Sequence, residues 1–139
     1  MYQKLIKNAC YLGVFIFIVN ILANKFYWYT SIFGFDKFMH FLGGVFIVLI
    51  VASFFLNKLL DQNSKQIFII LVLSSFIVGL FWEYYEYIIQ EFVKNVHLAD
   101  IPDSIGDLFF DCLGGIAGSF FVISMNKRYN NNHELKKNT

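Results

Sequence analysis

Charged side chains along this chain come in short clusters, and the stretches between them are apolar. Residues 8–24 run uncharged from Lys7 to Lys25, residues 38–57 from Lys37 to Lys58, and residues 66–82 from Lys65 to Glu83. Residues 108–126 run from Asp107 to Lys127 with one charge, Asp111, inside them. The four stretches are 17, 20, 17 and 19 residues long. A helix needs about 17–25 residues to cross a hydrocarbon core roughly 30 Å thick. No stretch alternates apolar and polar residues at period two, so a transmembrane β-barrel is not supported. The pattern predicts an all-α, polytopic integral membrane protein. Its four-transmembrane-helix bundle has spans at about 8–24, 38–57, 66–88 and 107–126, in one membrane domain over 1–128. A polar tail, expected to fray, occupies 129–139. The first apolar run follows Lys4 and Lys7 as a signal peptide would, but residues 20–26 offer no small-x-small cleavage site and no lipobox precedes Cys10. A retained helix is the expectation.

Composition agrees. Of 139 residues, 58% are hydrophobic and only 15% charged, against roughly a quarter charged in soluble domains, so a water-covered globule is excluded. A net charge of +1 leaves no basic footprint for nucleic acid. Cys10 and Cys112 each sit in an apolar run and read as small buried hydrophobes.

The charges are unevenly shared between the two ends of the bundle. With four spans, Lys4, Lys7, Lys58, Lys65, Lys127, Arg128, Lys136 and Lys137 lie on one side, and Lys25, Lys37 and Lys94 on the other. The positive-inside rule then puts both termini in the cytoplasm of a cell whose inner (plasma) membrane holds the chain. Trp28, Trp82, Tyr27, Tyr29, Tyr84, Tyr85 and Tyr87 fall at the outer interface as an aromatic belt. Eight of the ten acids fall on that side too: Asp36, Glu83, Glu86, Glu91, Asp100, Asp103, Asp107 and Asp111. Lys and Arg set topology and acids contribute little to it, so the acidic bias needs its own cause.

Helical spacing supplies one. Asp36, His40 and Gly44 share a face of the second span. Ser75, Gly79, Glu83, Glu86 and Gln90 share a face of the third, and Asp107, Asp111, Gly114 and Gly118 a face of the fourth. Each face is polar at its outer end and small further in, as helix-contact faces in membranes are. The rise per residue predicts a deep layer of His40, Glu83 and Asp111 about 6 Å below a shallower one of Asp36, Glu86 and Asp107. Ionisable groups at such depth are costly and mark function by default. Asp36, Asp103 and Asp107 read equally well as headgroup-level charges. Glu91, Asp100, His97 and His133 read as loop or tail residues. The first span offers only Asn20, with Asn24 in the headgroups.

His40, Glu83, Glu86 and Asp111 are the candidate catalytic groups, and these with Asp36 and Asp107 the candidate metal ligands. Carboxylate oxygens suit Mg²⁺, Ca²⁺ or Mn²⁺, and an imidazole admits Zn²⁺ or iron, so a divalent metal ion is the cofactor such a set would take. No HExxH, GxSxG, Walker loop or phosphotransferase signature is present.

The segments DKFMHFLGG (36–44), WEYYEYIIQ (82–90) and DSIGDLFFDCLGGIAG (103–118) resemble the small bacterial VanZ-like and YjdF-like membrane proteins. Those families share D-K-x-x-H-F opening one span, a Glu-containing motif ending the next, and D-x-x-x-[DN]-x-x-G-x-x-x-G opening the last. Asp111 stands where VanZ-like sequences usually have Asn and Glu86 where they usually have Gln, and the preceding loop, VHLADIPDS, lacks their common Arg. These departures lean toward the YjdF-like side. VanZ-like members are associated with glycopeptide resistance.

The resulting expectation is a protein that binds or modifies a lipid or lipid-linked cell-envelope component at an outer-leaflet carboxylate–histidine site. Its partners would be membrane lipid, a lipid-linked substrate and, in a homo-oligomer, a second copy of itself. The rival expectations are a small ion- or proton-coupled transporter and a non-catalytic structural partner in a membrane complex.

Overall fold

A computed structural model describes residues 2–55, 63–89 and 101–137. It contains helices α1 (Tyr2–Lys25), α2 (Trp28–Ser31), α3 (Phe35–Phe54), α4 (Ser64–Ile88) and α5 (Ile101–Lys137), with no strand among the described residues. All but the short α2 are long and apolar enough to cross a membrane. The expected all-α bundle of four spans is therefore present.

Local chemistry sets the helix boundaries. At the start of α4, the Asn63 side chain accepts from the Gln66 amide at 2.9 Å and the Gln66 side chain accepts from the Asn63 amide at 3.2 Å. This reciprocal capping box satisfies two amides that no helical carbonyl reaches. Between α1 and α3, Tyr27 takes the left-handed conformation (φ 57°) and Gly34 does so again (φ 72°), which turns the chain twice within eight residues. The Thr30 and Ser31 hydroxyls donate to the Tyr27 carbonyl at 3.0 and 2.8 Å and close the single turn of α2. The sequence reading has no helix here, because four residues are too few to show a period.

The last helix departs from expectation in length. It runs through Lys137, spanning about 55 Å, whereas the residues after Tyr129 are expected to fray. Nothing between Lys127 and Lys137 is Gly or Pro, and extending a formed helix needs no new nucleus.

Helix α5 is central. It packs against α3 and α4, these two also meet, and α1 lies chiefly against α3. The apolar core joins Leu5 and Ala9 of α1, Val48, Leu49 and Ala52 of α3, Ile67 and Leu71 of α4 and Val122 of α5. It fills the end of the bundle away from the acids. Toward the acidic end glycines replace it. A methyl group on Gly114 would overlap the Phe41 carbonyl oxygen, one on Gly44 the Asp111 carbonyl oxygen, and one on Gly118 would come within 3.0 Å of Val48. Backbone thus meets backbone where α3 crosses α5, as small residues permit in membranes. The outward faces are large and apolar, with Tyr11, Val14, Phe15, Phe17 and Ile18 exposed along α1. Cys10 is exposed as well, not buried as its apolar surroundings suggest, while Cys112 is half-buried. In a membrane protein an apolar run indicates lipid contact as readily as a core, so hydrophobicity alone cannot assign a residue to the interior.

Candidate functional site

Three helices deliver one imidazole and a set of carboxylates to a single place. On α3, His40 is buried, 7% exposed, and its Nδ1 lies 3.3 Å from Asp111 Oδ2 of α5. Its other nitrogen, Nε2, lies 3.9 Å from Glu83 Oε1 of α4 and 4.0 Å from Asp36 Oδ1 one turn earlier on α3. The direction of the helices explains the convergence. Side chains lean toward the N-terminus of their own helix. Helices α3 and α5 begin at the acidic end, so His40 and Asp111 lean toward that end. Helix α4 finishes there, so Glu83 and Glu86 lean back into the bundle.

His40 meets Glu83 and Asp111, its partners in the expected deep layer, and also Asp36 of the shallower one, so the six candidates form one connected group. Two sets have ligand atoms within 4.8 Å of one another: Asp36, His40 and Asp107, and His40, Glu83 and Glu86. His40 belongs to both. Asp107 is 3% exposed and lies within the bundle, while Asp36 and Asp103 keep side-chain exposures of 37% and 55%.

Most of these groups have partners, and one does not. Glu83 Oε1 is buried with no hydrogen-bond partner. A buried polar atom left unpaired costs about 1–3 kcal/mol, more when it carries charge. Asp111 is fixed at both ends: its carboxylate meets His40, and its backbone carbonyl accepts from the Ser75 hydroxyl of α4 at 2.8 Å. Ser53, Ser74 and Ser119 instead donate to carbonyls four residues back in their own helices. A methyl group on Gly79 would overlap the Asp111 carboxylate, so this glycine leaves room for it.

Lys37, which the sequence offers for topology and within the D-K-x-x-H-F motif, is drawn into this group of acids. Its Nζ lies 2.6 Å from Asp103 Oδ1 and 3.5 Å from Asp107 Oδ1, bridging the first turns of α3 and α5. Its position one residue after Asp36, on the side that holds eight of the ten acids and three lysines, was the available signal. Asn20, the one candidate on the first span, accepts from the Tyr29 hydroxyl at 2.7 Å and from the Asn24 amide at 3.2 Å. Burial, with Asp36 and then Glu86 nearby, raises the Tyr29 phenol above its ordinary pKa of 10.0. Gln90, Glu91, Lys94, His97 and Asp100 lie outside the described residues, as do Lys58 and Asp61 and the side chains of His133 and Glu134.

A family model described as "Predicted membrane protein (DUF2238)" matches residues 2–128. The chain belongs to that family. The match takes in all four spans of this DUF2238 protein and every residue of the cluster. No curated protein and no solved structure matches it.

Proposed function

We propose that this DUF2238 protein binds a divalent cation among His40, Glu83, Glu86, Asp36, Asp107 and Asp111, and uses it to hold a lipid or lipid-linked component of the cell envelope. The observation that carries the reading is Glu83 Oε1, a buried carboxylate oxygen without a partner, facing an imidazole nitrogen at 3.9 Å. A cation between them would satisfy both atoms and offset the repulsion among the surrounding carboxylates. Ligand atoms around one ion at about 2.1 Å lie at most about 4.2 Å apart, so sets within 4.8 Å need only side-chain adjustment of under an ångström to close on one. An imidazole among oxygens favours Mn²⁺, Zn²⁺ or Fe²⁺ over Mg²⁺ and Ca²⁺.

The lysine asymmetry supports placing the acidic end outside the cytoplasmic membrane and both termini inside. A site at that depth meets lipid headgroups sooner than cytosolic metabolites. The motifs in 36–44, 82–90 and 103–118 support kinship with the VanZ-like and YjdF-like proteins of the envelope, on the YjdF-like side. A transporter is less well supported, because Ser53, Ser74 and Ser119 spend their hydroxyls on their own helices and do not line a path.

The test is elemental analysis of protein purified in mild detergent without chelator, followed by thermal unfolding with and without added divalent ions. One ion per chain is expected in the parent. A cation at about 100 times its dissociation constant should stabilise it by roughly 2.7 kcal/mol. Glu83→Gln should retain the fold and lose both. A parent without metal and indifferent to every divalent ion and to chelator would overturn the reading.

A further inference from the structure

Beside the cluster, beneath the α2 turn, lies a cavity of about 330 Å³. One wall is apolar, from Tyr29, Ile32 and Phe33, and the other is charged, from Asp36, Lys37 and Asp103. Phe33 is fully exposed and Ile32 half-exposed, so the apolar wall runs out onto the surface that the bilayer interface covers. The charged wall carries an excess of carboxylate. Lys37 is shared between Asp103 and Asp107, and the imidazole nitrogen facing Asp36, His40 Nε2, is as far off as 4.0 Å. The same wall holds the start of the twenty-residue helix α3, whose N-cap is Gly34 and supplies no side chain to the first-turn amides. The Phe35 amide donates to the Ile32 carbonyl at 3.2 Å, which leaves the amides of Asp36 and Lys37 at the helix start to favour an anion.

We propose that this cavity binds the headgroup of a membrane phospholipid carrying a phosphate and a primary ammonium, of the ethanolamine type. The ammonium sits against Asp36 and Asp103, the phosphate against Lys37 and the start of α3, and the acyl chains leave along Ile32 and Phe33. A trimethylated ammonium cannot donate to the carboxylates, and a glycerol headgroup brings no cation to them, so both are discriminated against. The inference rests on the envelope-lipid part of the proposed function and not on the bound cation.

The test uses the full chain in mild detergent with excess chelator, so that the cation does not enter. Short-chain phosphatidylethanolamine, phosphatidylcholine and phosphatidylglycerol of equal chain length are titrated against it. Trp28 fluorescence reports occupancy, since its ring packs edge-on against Phe35 with centroids 5.6 Å apart. The ethanolamine lipid should bind at least tenfold more tightly than the other two, and chain-free phosphoethanolamine at least tenfold more weakly than its lipid. Asp103→Asn, at an exposed position outside the proposed cation ligands, should lose at least tenfold in affinity for the ethanolamine lipid and not weaken the other two, whose phosphate meets a Lys37 released from its pair. Phe33→Ser should weaken the lipid and not phosphoethanolamine. Equal binding of the three lipids, a preference that survives Asp103→Asn, or phosphoethanolamine binding as tightly as its lipid would each overturn the proposal. An ethanolamine preference in a protein that ignores all divalent ions would refute the cation reading and support this one.

Discussion

Ser75→Ala isolates the bond that ties α4 to the backbone under Asp111. The alanine keeps the Cβ that packs against Gly115, where an added methyl group would come within 2.8 Å of it, so helix spacing is preserved and only the hydroxyl is lost. The Asp111 carbonyl lies inside α5 and still accepts from the amide four residues on, so the change leaves no orphaned acceptor. The loss is therefore the net value of one interhelical bond, about 0.6–1.5 kcal/mol in a membrane, or a factor of about 3 to 12 in the folding equilibrium. Ser119→Ala is the matched control. Ser119 is fully buried and its hydroxyl donates at 2.7 Å, but to Gly115 of its own helix, a bond that adds little or slightly opposes the helix. Its removal should change stability by a few tenths of a kcal/mol at most. Equilibrium unfolding of both variants in mixed micelles, titrated with a denaturing detergent, separates the two. Equal effects would refute the claim that Ser75 braces the site across helices.

Gly114→Ala should destabilise the bundle by about 1–3 kcal/mol or prevent folding, because its new methyl group meets the Phe41 carbonyl oxygen and backbone must move; unfolding in the same micelles measures it. A reporter active only outside the cytoplasm, fused after Thr139, should stay silent; activity there would reverse the orientation and the face on which lipid is met.

The spans were legible because length and charge-free composition determine what can cross a bilayer, whatever the neighbours are. The polar faces of α3, α4 and α5 were legible for a related reason: carboxylates and glycines at helical spacing show which side of a helix can tolerate another. What this spacing does not contain is the relative rotation and height of two helices. It does not show that His40, expected with Glu83 and Asp111 in the deep layer, also meets Asp36 of the shallower one. The Lys37–Asp103 pair depends on α3 and α5 starting at the same level, which neither segment states by itself. Cys10 was misplaced because lipid and core select the same side chains.

The central position of α5 has a consequence for biogenesis. Spans leave the ribosome in order, and α5 is the last of them. Until it arrives, His40 has no Asp111, Lys37 has neither of its aspartates, Gly44 has no α5 backbone to receive and Gly79 no Asp111 carboxylate. The carboxylates of α3 and α4 therefore enter the bilayer ahead of the groups that accommodate them, held for the duration of synthesis by water or by the insertion machinery. A nascent chain stopped before Asp103 would carry three inserted spans and an unassembled site, which makes it a natural target for membrane quality control.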